Sequence, residues 1–322
     1  MHTLKNKLVA IITLNYNHSK ETLECIDSIL ESDHTHFELI AVDNGSEVTD
    51  YKKLRDACKD ERIRVVRQEP NIGYVGGVNL GLLKAQERQP DYYLIMNNDT
   101  ILDQSAIREL LSTSIKHKNQ SIVSGKVYNM DAPDTLQYIG QSCRSKKKFS
   151  YPSFVKNGRE KDVGQYDVEM EMGMLDDIFW LLPKEIFEIV GLYSTDFFLY
   201  GEQNDYALRA KKAGFKLIYT PKAKIRHYHH LTTSSGDPQM LGIIYWKSYA
   251  MFLLTYKHLN FIYFVRYFLV RTSKSIIKYL LYTVRSNDIE IKKSKIVLVA
   301  SFYFLKWLLE SRKPNNGFNP FL

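Results

Sequence analysis

Four strand-like runs in the N-terminal third, Leu8–Leu14, Phe37–Asp43, Arg62–Arg67 and Tyr92–Met96, alternate with segments of helical periodicity about Glu21–Glu31, Thr49–Lys59 and Val75–Gln86. This alternation permits few folds, because each strand must cross over a helix to reach the next, which builds βαβ units and a mainly parallel sheet. Ligands of such sheets sit beyond the carboxyl ends of the strands. Those ends are polar here: Thr13-Leu14-Asn15-Tyr16-Asn17 after the first run, Asp43-Asn44-Gly45-Ser46 after the second, a glycine-containing stretch from Asn71 to Asn79 after the third, and Asn97-Asn98-Asp99 after the fourth. Four strand ends in a row that each lead to Asn or Asp at one edge exceed what plain turn chemistry requires.

With 322 residues the chain has room for one large α/β domain and an appendage. The net charge of +8 suggests a nucleic-acid binder until it is located: Gly242 to Leu322 hold 13 Lys and Arg against 3 acidic residues, so the tail carries +10 and the rest −2. No nucleic-acid partner is expected. Cys25, Cys58 and Cys143 are odd in number and far apart, which excludes a disulfide framework or a paired zinc site and fits a reducing cytoplasm. The polar Met1 to Lys7 runs straight into a strand-like segment too short for a signal-peptide core, so nothing directs the chain outward.

Each motif has a functional and a structural reading. Asp43 can accept hydrogen bonds from a nucleotide's base or ribose, and Asp-Asn-Gly is also good turn chemistry. The Asn71–Asn79 stretch permits close backbone approach and opens a helix whose N–H groups can face phosphate. Its glycines run G-x-x-G-G and follow the third strand, which is not the dinucleotide fingerprint. Asn97, Asn98 and Asp99 offer oxygen ligands suited to Mg²⁺ or Mn²⁺, or they end a strand. Glu202 and Asp205 open a predicted helix, as acidic residues often do, with Arg209 one turn beyond Asp205. His227 can add a nitrogen ligand that suits Mn²⁺ better than Mg²⁺, with His229 and His230 as competitors. Met130 to Glu171, with the basic run Arg144 to Lys148, reads as a loop-rich insertion without an assigned role.

In order and spacing, these segments resemble glycosyltransferase family 2 on the GT-A fold, especially its rhamnosyltransferase-like bacterial members, over roughly Val9 to Ser235. The later part of the resemblance is Phe197-Phe198-x-Tyr200-Gly201-Glu202-x-x-Asp205-x-x-x-Arg209 with Gly214, then Pro221-x-Ala223-x-x-x-His227. The resemblance implies that Thr13, Asn15, Asp43 and Asn79 line a nucleotide-sugar pocket, with Gly76 and Asn98 beside them. It also implies a Mn²⁺ or Mg²⁺ site at Asp99, Asn97 and His227, and a catalytic base that deprotonates the acceptor hydroxyl for one inverting displacement. Two departures matter: Asn97 stands where the family's metal motif has its first aspartate, and Gln203 where the family often has the basic carboxylate. Glu202 is then the expected base, Asp205 the second candidate, and Asp176-Asp177 a further one on the acceptor side.

From Val265 to Thr283, Val265, Phe268, Leu269, Thr272, Ile276, Tyr279, Leu280 and Thr283 recur at helical spacing, while Arg271, Lys274, Lys278 and Arg285 follow another stripe. This amphipathic basic helix suits an anionic bilayer surface, or it packs on protein or joins a homo-oligomer. No apolar run approaches the roughly 20 residues of a membrane span. The expected organisation is a GT-A domain over 1–240, with a nucleotide-binding half about 1–125 and an acceptor-side half about 126–240, followed by a helical tail over 241–322. The expected function is sugar transfer from a nucleotide-sugar donor, dTDP-rhamnose by resemblance, to a glycan or lipid-linked acceptor at the cytoplasmic membrane surface, in surface polysaccharide synthesis. A nucleotidyltransferase and a non-catalytic membrane scaffold are the alternatives.

Overall fold

The computed structural model describes residue 4 and residues 6–142, 153–228 and 238–310; Cys143, the run Arg144 to Lys148, His229 and His230 lie outside the described residues. Strands β1 (Val9–Asn15), β2 (Phe37–Asn44), β3 (Ile63–Gln68) and β4 (Tyr92–Met96) lie in the order β3-β2-β1-β4 and pair in parallel. Helices α1 (Ser19–Leu30), α2 (Val48–Ala57) and α3 (Gly73–Gln86) make the crossovers. β1 and β2 are apolar along nearly their whole length because the parallel sheet is covered on both faces, and Val9, Ile11, Leu39 and Ala41 have no exposed surface. Helix α1 turns Cys25, Ile26 and Ile29 onto that core.

The sheet continues beyond β4 by a different rule. After β4 come β5 (Thr100–Leu102), helix α4 (Ala106–Lys116), β6 (Ser121–Asn129), the short β7 (Thr135–Tyr138), β8 (Glu160–Lys161) and β9 (Met170–Glu171), then β10 (Phe179–Pro183), helix α5 (Lys184–Val190), helix α6 (Glu202–Lys212) and β11 (Lys216–His227). Strand β10 enters antiparallel beside β4, and β6, β11 and β5 follow it outward. The central sheet is thus mixed: parallel where the nucleotide-binding half was expected, with antiparallel strands inserted beyond. The insertion expected as loop holds β7, β8, β9 and a single 3₁₀ turn within its described residues.

Strand β11 pauses at a register shift between Tyr219 and Lys224 and then resumes pairing with β6. Pro221 lies in that interval, where a residue without an N–H interrupts a ladder and favours a bulge. The resumed segment ends at His227, paired in parallel with Asn129 on one side and antiparallel with Thr100 on the other.

The chain divides into two compact units, and the second takes Ser194–Asp205 together with the C-terminal helices. Those helices are α7 (Pro238–His258), α8 (Phe261–Val284) and α9 (Asp288–Leu309). Within this unit Phe198 stacks on Trp246 with ring centres 4.7 Å apart, and an aromatic core forms where Phe304 meets Phe252, Phe264 and Phe268 at 5.6 to 5.8 Å. Asn260 caps α8, its side chain accepting from the Tyr263 N–H at 2.8 Å. Among the described residues no helix is long and apolar enough to cross a membrane.

Gly125 lets β6 and β11 approach: a Cβ there would lie 2.1 Å from the carbonyl oxygen of Ala223. Gly125→Ala is expected to cost about 1–3 kcal/mol by overpacking. Urea unfolding should show a lower midpoint with an unchanged slope.

Candidate active site

Register delivers the first pair of polar side chains. Because β1 and β2 pair in parallel with Asn15 opposite Asp43, both side chains reach the carboxyl edge together. Asn15 Nδ2 donates to Asp43 Oδ2 at 2.9 Å, and lies 2.8 Å from Asp50 Oδ2 and 3.1 Å from Ser46 Oγ. Both Asn15 and Asp43 are fully buried. Arg67 Nη1 stands 3.4 Å from Asp43 Oδ1, with its guanidinium 4.2 Å from the centre of the Tyr51 ring. A buried carboxylate needs such partners to stay ionised.

The same amide links this pair to the end of β4. Thr22 Oγ1 lies 2.9 Å from Asn15 Oδ1, and Asn98 Nδ2 donates to Thr22 Oγ1 at 2.8 Å. Asn98, Thr22, Asn15 and Asp43 therefore form one hydrogen-bonded line across the edge of three strands. Asn97 sits beside it, its N–H held by the carbonyl of Ile178 at 2.9 Å. Thr13 is buried, and its hydroxyl has no hydrogen-bond partner among the described residues.

A second pair comes from positions 128 apart in the chain. Antiparallel pairing of β5 with β11 sets His227 opposite Thr100, the residue after Asp99. His227 Nε2 is 3.1 Å from Asp99 Oδ1, and the Tyr228 N–H donates to the Asp99 carbonyl at 3.0 Å. The other ring nitrogen, Nδ1, lies 2.9 Å from Gln137 Oε1. Gln137 Oε1 can only accept, so Nδ1 donates to it, and Nε2 is left facing the Asp99 carboxylate. One carboxylate oxygen beside one imidazole nitrogen fits a shared Mn²⁺ in kind. Among the described residues no group of three or more His, Cys, Asp and Glu side chains forms a metal cluster.

The glycine stretch is built differently from its sequence reading. A Cβ on Gly77 would meet Leu14 at 2.5 Å and one on Gly81 would meet Ile12 at 2.5 Å, so these glycines seat α3 against β1. A Cβ on Gly76 would meet the side chain of Ile72, one turn back, at 2.8 Å. Asn79 uses both ends of its amide on the main chain of Tyr193, accepting its N–H and donating to its carbonyl, each at 2.9 Å. Asn44 holds the stretch from below, with Nδ2 donating to the Gly73 carbonyl at 2.9 Å.

The Asp177 carboxyl is 4% exposed and receives hydrogen bonds from the hydroxyls of Tyr74 at 3.1 Å and Tyr193 at 3.0 Å. Burial, and next the charge of Asp176, push it up to about 7. Tyr193 also stacks on Tyr206 at 4.9 Å, with Trp180 at 5.9 Å from Tyr206.

Glu202 and Asp205 belong to the second unit. Tyr200 and Gly201 both take positive φ, 66° and 84°, just before the helix that Glu202 opens. A Cβ on Gly201 would meet Ala250 at 2.8 Å, which requires glycine there. Asp205 is fully buried with Oδ1 at 2.8 Å from His258 Nε2, and Glu202 is 3% exposed.

The structure thus joins Asn15 to Asp43, Asn98 to both through Thr22, and Asp99 to His227. Thr22, Asp50 and Gln137 were missed from sequence, because each acts through a fold contact: Thr22 lies inside an amphipathic helix and Gln137 inside the insertion.

The model of the family described as glycosyl transferase family 2 matches residues 10–179, more than half of the chain. The glycosyltransferase GlyG of Streptococcus pneumoniae is 32% identical over 137 residues, 42% of this chain and 44% of that protein, so the chain spans less than half the length of that relative. The N-acetylglucosaminyl-diphospho-decaprenol L-rhamnosyltransferase of Mycobacterium tuberculosis is 22% identical over 270 residues, 76% of this chain and 84% of that protein. A crystal structure of GalNAc-T7 with UDP, GalNAc and Mn²⁺ is similar in fold, with a TM-score of 0.61 and 11% identity, covering 98% of this chain and 59% of that one.

Asp177 gives this region a pH signature. Its folded pKa is raised from 3.8 to about 7, so the folded state holds a proton that the unfolded state releases, and stability falls as pH rises through that window. Compared with the wild type, Asp177→Asn should lose less unfolding free energy between pH 4 and about 7, as measured by urea titration across that range.

Proposed function

This chain belongs to glycosyl transferase family 2 and has the GT-A fold, and on that footing we propose that it moves a sugar from a nucleotide-activated donor to a hydroxyl of a glycan or lipid-linked acceptor, with inversion. The observation that carries the reading is the line Asn98–Thr22–Asn15–Asp43 along the carboxyl edge of the parallel strands, with the Asp99–His227 pair where the chain passes from β4 into β5.

Asp43, oriented by Asn15 and Arg67, accepts hydrogen bonds from the nucleoside. Thr13, whose buried hydroxyl lacks a protein partner, donates or accepts once the nucleotide is in place; such an unpaired hydroxyl otherwise costs about 1–3 kcal/mol. Asn79 and Gly76 contribute through α3, which they fix against Tyr193 and against its own first turn. Asp99 and His227 would hold a divalent ion, with Asn97 beside them. When bound, that ion supplies positive charge to the diphosphate of the leaving nucleotide. Gln137 keeps the far nitrogen of His227 protonated, so the near nitrogen is available as a ligand.

Glu202 takes the acceptor's hydroxyl proton. The acceptor oxygen then bonds to the anomeric carbon while the bond from that carbon to the diphosphate oxygen breaks, and a nucleoside diphosphate leaves. Glu202 is the first choice because it opens α6 directly after the positive-φ pair Tyr200-Gly201, and Asp205 is the second. Gln203 has no basic carboxylate to offer. Among donors, dTDP-rhamnose is the one to test first, because the mycobacterial relative matched over 76% of this chain is an L-rhamnosyltransferase. The proposed place of action is the cytoplasmic face of a membrane, in the assembly of a surface polysaccharide, which the basic tail supports.

The test is turnover of dTDP-rhamnose and a panel of nucleotide sugars with a lipid-linked acceptor, with the released nucleotide identified. A nucleoside diphosphate is expected, whereas pyrophosphate would select nucleotidyl transfer. Glu202→Gln should lower kcat roughly a hundredfold to ten-thousandfold with little change in donor KM. Unchanged turnover would remove Glu202 as the base.

A further inference from the structure

Helix α8 has two apolar faces, and the fold uses only one. Phe264 and Phe268 pack on Phe304 at 5.6 and 5.8 Å, Ser275 is buried, and Thr272 meets Ser301 at 3.2 Å. Of the stripe read from the sequence, that face takes up Phe268 and Thr272. Ile262, Leu269, Val270, Ile277, Leu280 and Val284 recur at spacings of three, four and seven on another side and stay between 45% and 85% exposed. A soluble protein rarely leaves such a row of large aliphatic side chains in water without a partner for it.

The charge beside this row narrows the partner. Arg271, Lys274, Lys278 and Arg285 are all exposed along one border of the exposed row, and Arg266 lies within it, where its aliphatic stem can follow the apolar surface while the guanidinium reaches outward. The 24 residues of α8 contain no carboxylate. A second copy docking through the same face would set one basic border against another, and the face offers nothing to neutralise them. An anionic lipid surface satisfies both features: the aliphatic row enters the headgroup boundary and the basic border meets lipid phosphates.

We propose that the outer face of α8, from Ile262 to Val284, is a docking surface for an anionic bilayer, on which the protein lies without crossing. This deepens the membrane-surface reading above and rests on it. The binding test needs no sugar transfer, so the two can fail separately.

The full-length protein is floated with vesicles of phosphatidylcholine alone and with vesicles containing phosphatidylglycerol. Binding to the anionic vesicles, weakened by salt, is expected, with little binding to the neutral ones. Ile277→Glu with Leu280→Glu should abolish flotation. Lys274→Gln with Lys278→Gln, which leaves the apolar row intact, should weaken binding about thirtyfold, taking about 1 kcal/mol for each basic side chain near an anionic surface. Circular dichroism and the melting temperature of both variants should match the wild type, since these side chains face solvent. Equal binding of both variants would overturn the proposal. So would loss of a dimer in the Ile277/Leu280 variant, seen by light scattering, with no vesicle binding by the wild type.

Discussion

The antiparallel ladder between β5 and β11 is the contact on which the site depends. It is a three-residue pairing, Leu102 with Ile225, Ile101 with Arg226 and Thr100 with His227. It carries an imidazole from near the end of the catalytic fold to the one carboxylate that follows β4. A one-residue slip would turn His227 to the other face of the sheet. Two other features hold the register: the parallel ladder of β6 with β11, and the bulge about Pro221 that lets β11 resume pairing after an interruption. Gly125 permits the close approach of those strands, so a residue far from any ligand helps determine where His227 ends.

The parallel half holds its own polar edge by a different means. Asn15 is an amide at the centre of acceptors and donors contributed by β2, α1 and α2, and it is fully buried. A buried amide satisfied on both ends resists movement, because any displacement strands a polar group away from water. Asp43 is thereby held in one orientation before a ligand arrives. The Asp177 carboxyl, clamped by Tyr74 and Tyr193, plays a related part on the other side of α3: it ties the first turn of that helix to the main chain that Asn79 also grips.

The first four strands and their crossovers were legible in the sequence to within a residue or two, because β1, β2 and β4 are short apolar runs ended by Asn or Asp, and β3 is a short run with Ile and Val that leads to Asn71. The edge residues Asn15, Asp43 and Asp99 followed from strand order alone. The antiparallel entry of β10 beside β4 was not legible, since local sequence does not encode direction of pairing. His227 could be named only with two competing histidines, which lie outside the described residues, and the pairing with Thr100 is what brings His227 to Asp99. The glycines of Asn71–Asn79 were read as permitting close backbone approach at the start of a helix. At Gly77 the approach that the structure shows is that of helix on strand, which spacing cannot distinguish from ligand approach. The tail's apolar residues looked like one stripe because periodicity reports that a helix is amphipathic, not how many faces it presents.

The central claim is that the carboxyl edge of the sheet binds a nucleotide through a metal ion held by Asp99 and His227. Calorimetric titration of nucleoside diphosphates into the purified protein, first with Mn²⁺ and then with EDTA, tests it directly, with His227→Ala as the companion. Binding of one nucleotide with Mn²⁺, its loss in EDTA, and a weaker Mn²⁺-dependent component in His227→Ala with the fold unchanged are expected. Nucleotide binding equally tight in EDTA, or unaltered by His227→Ala, would contradict it.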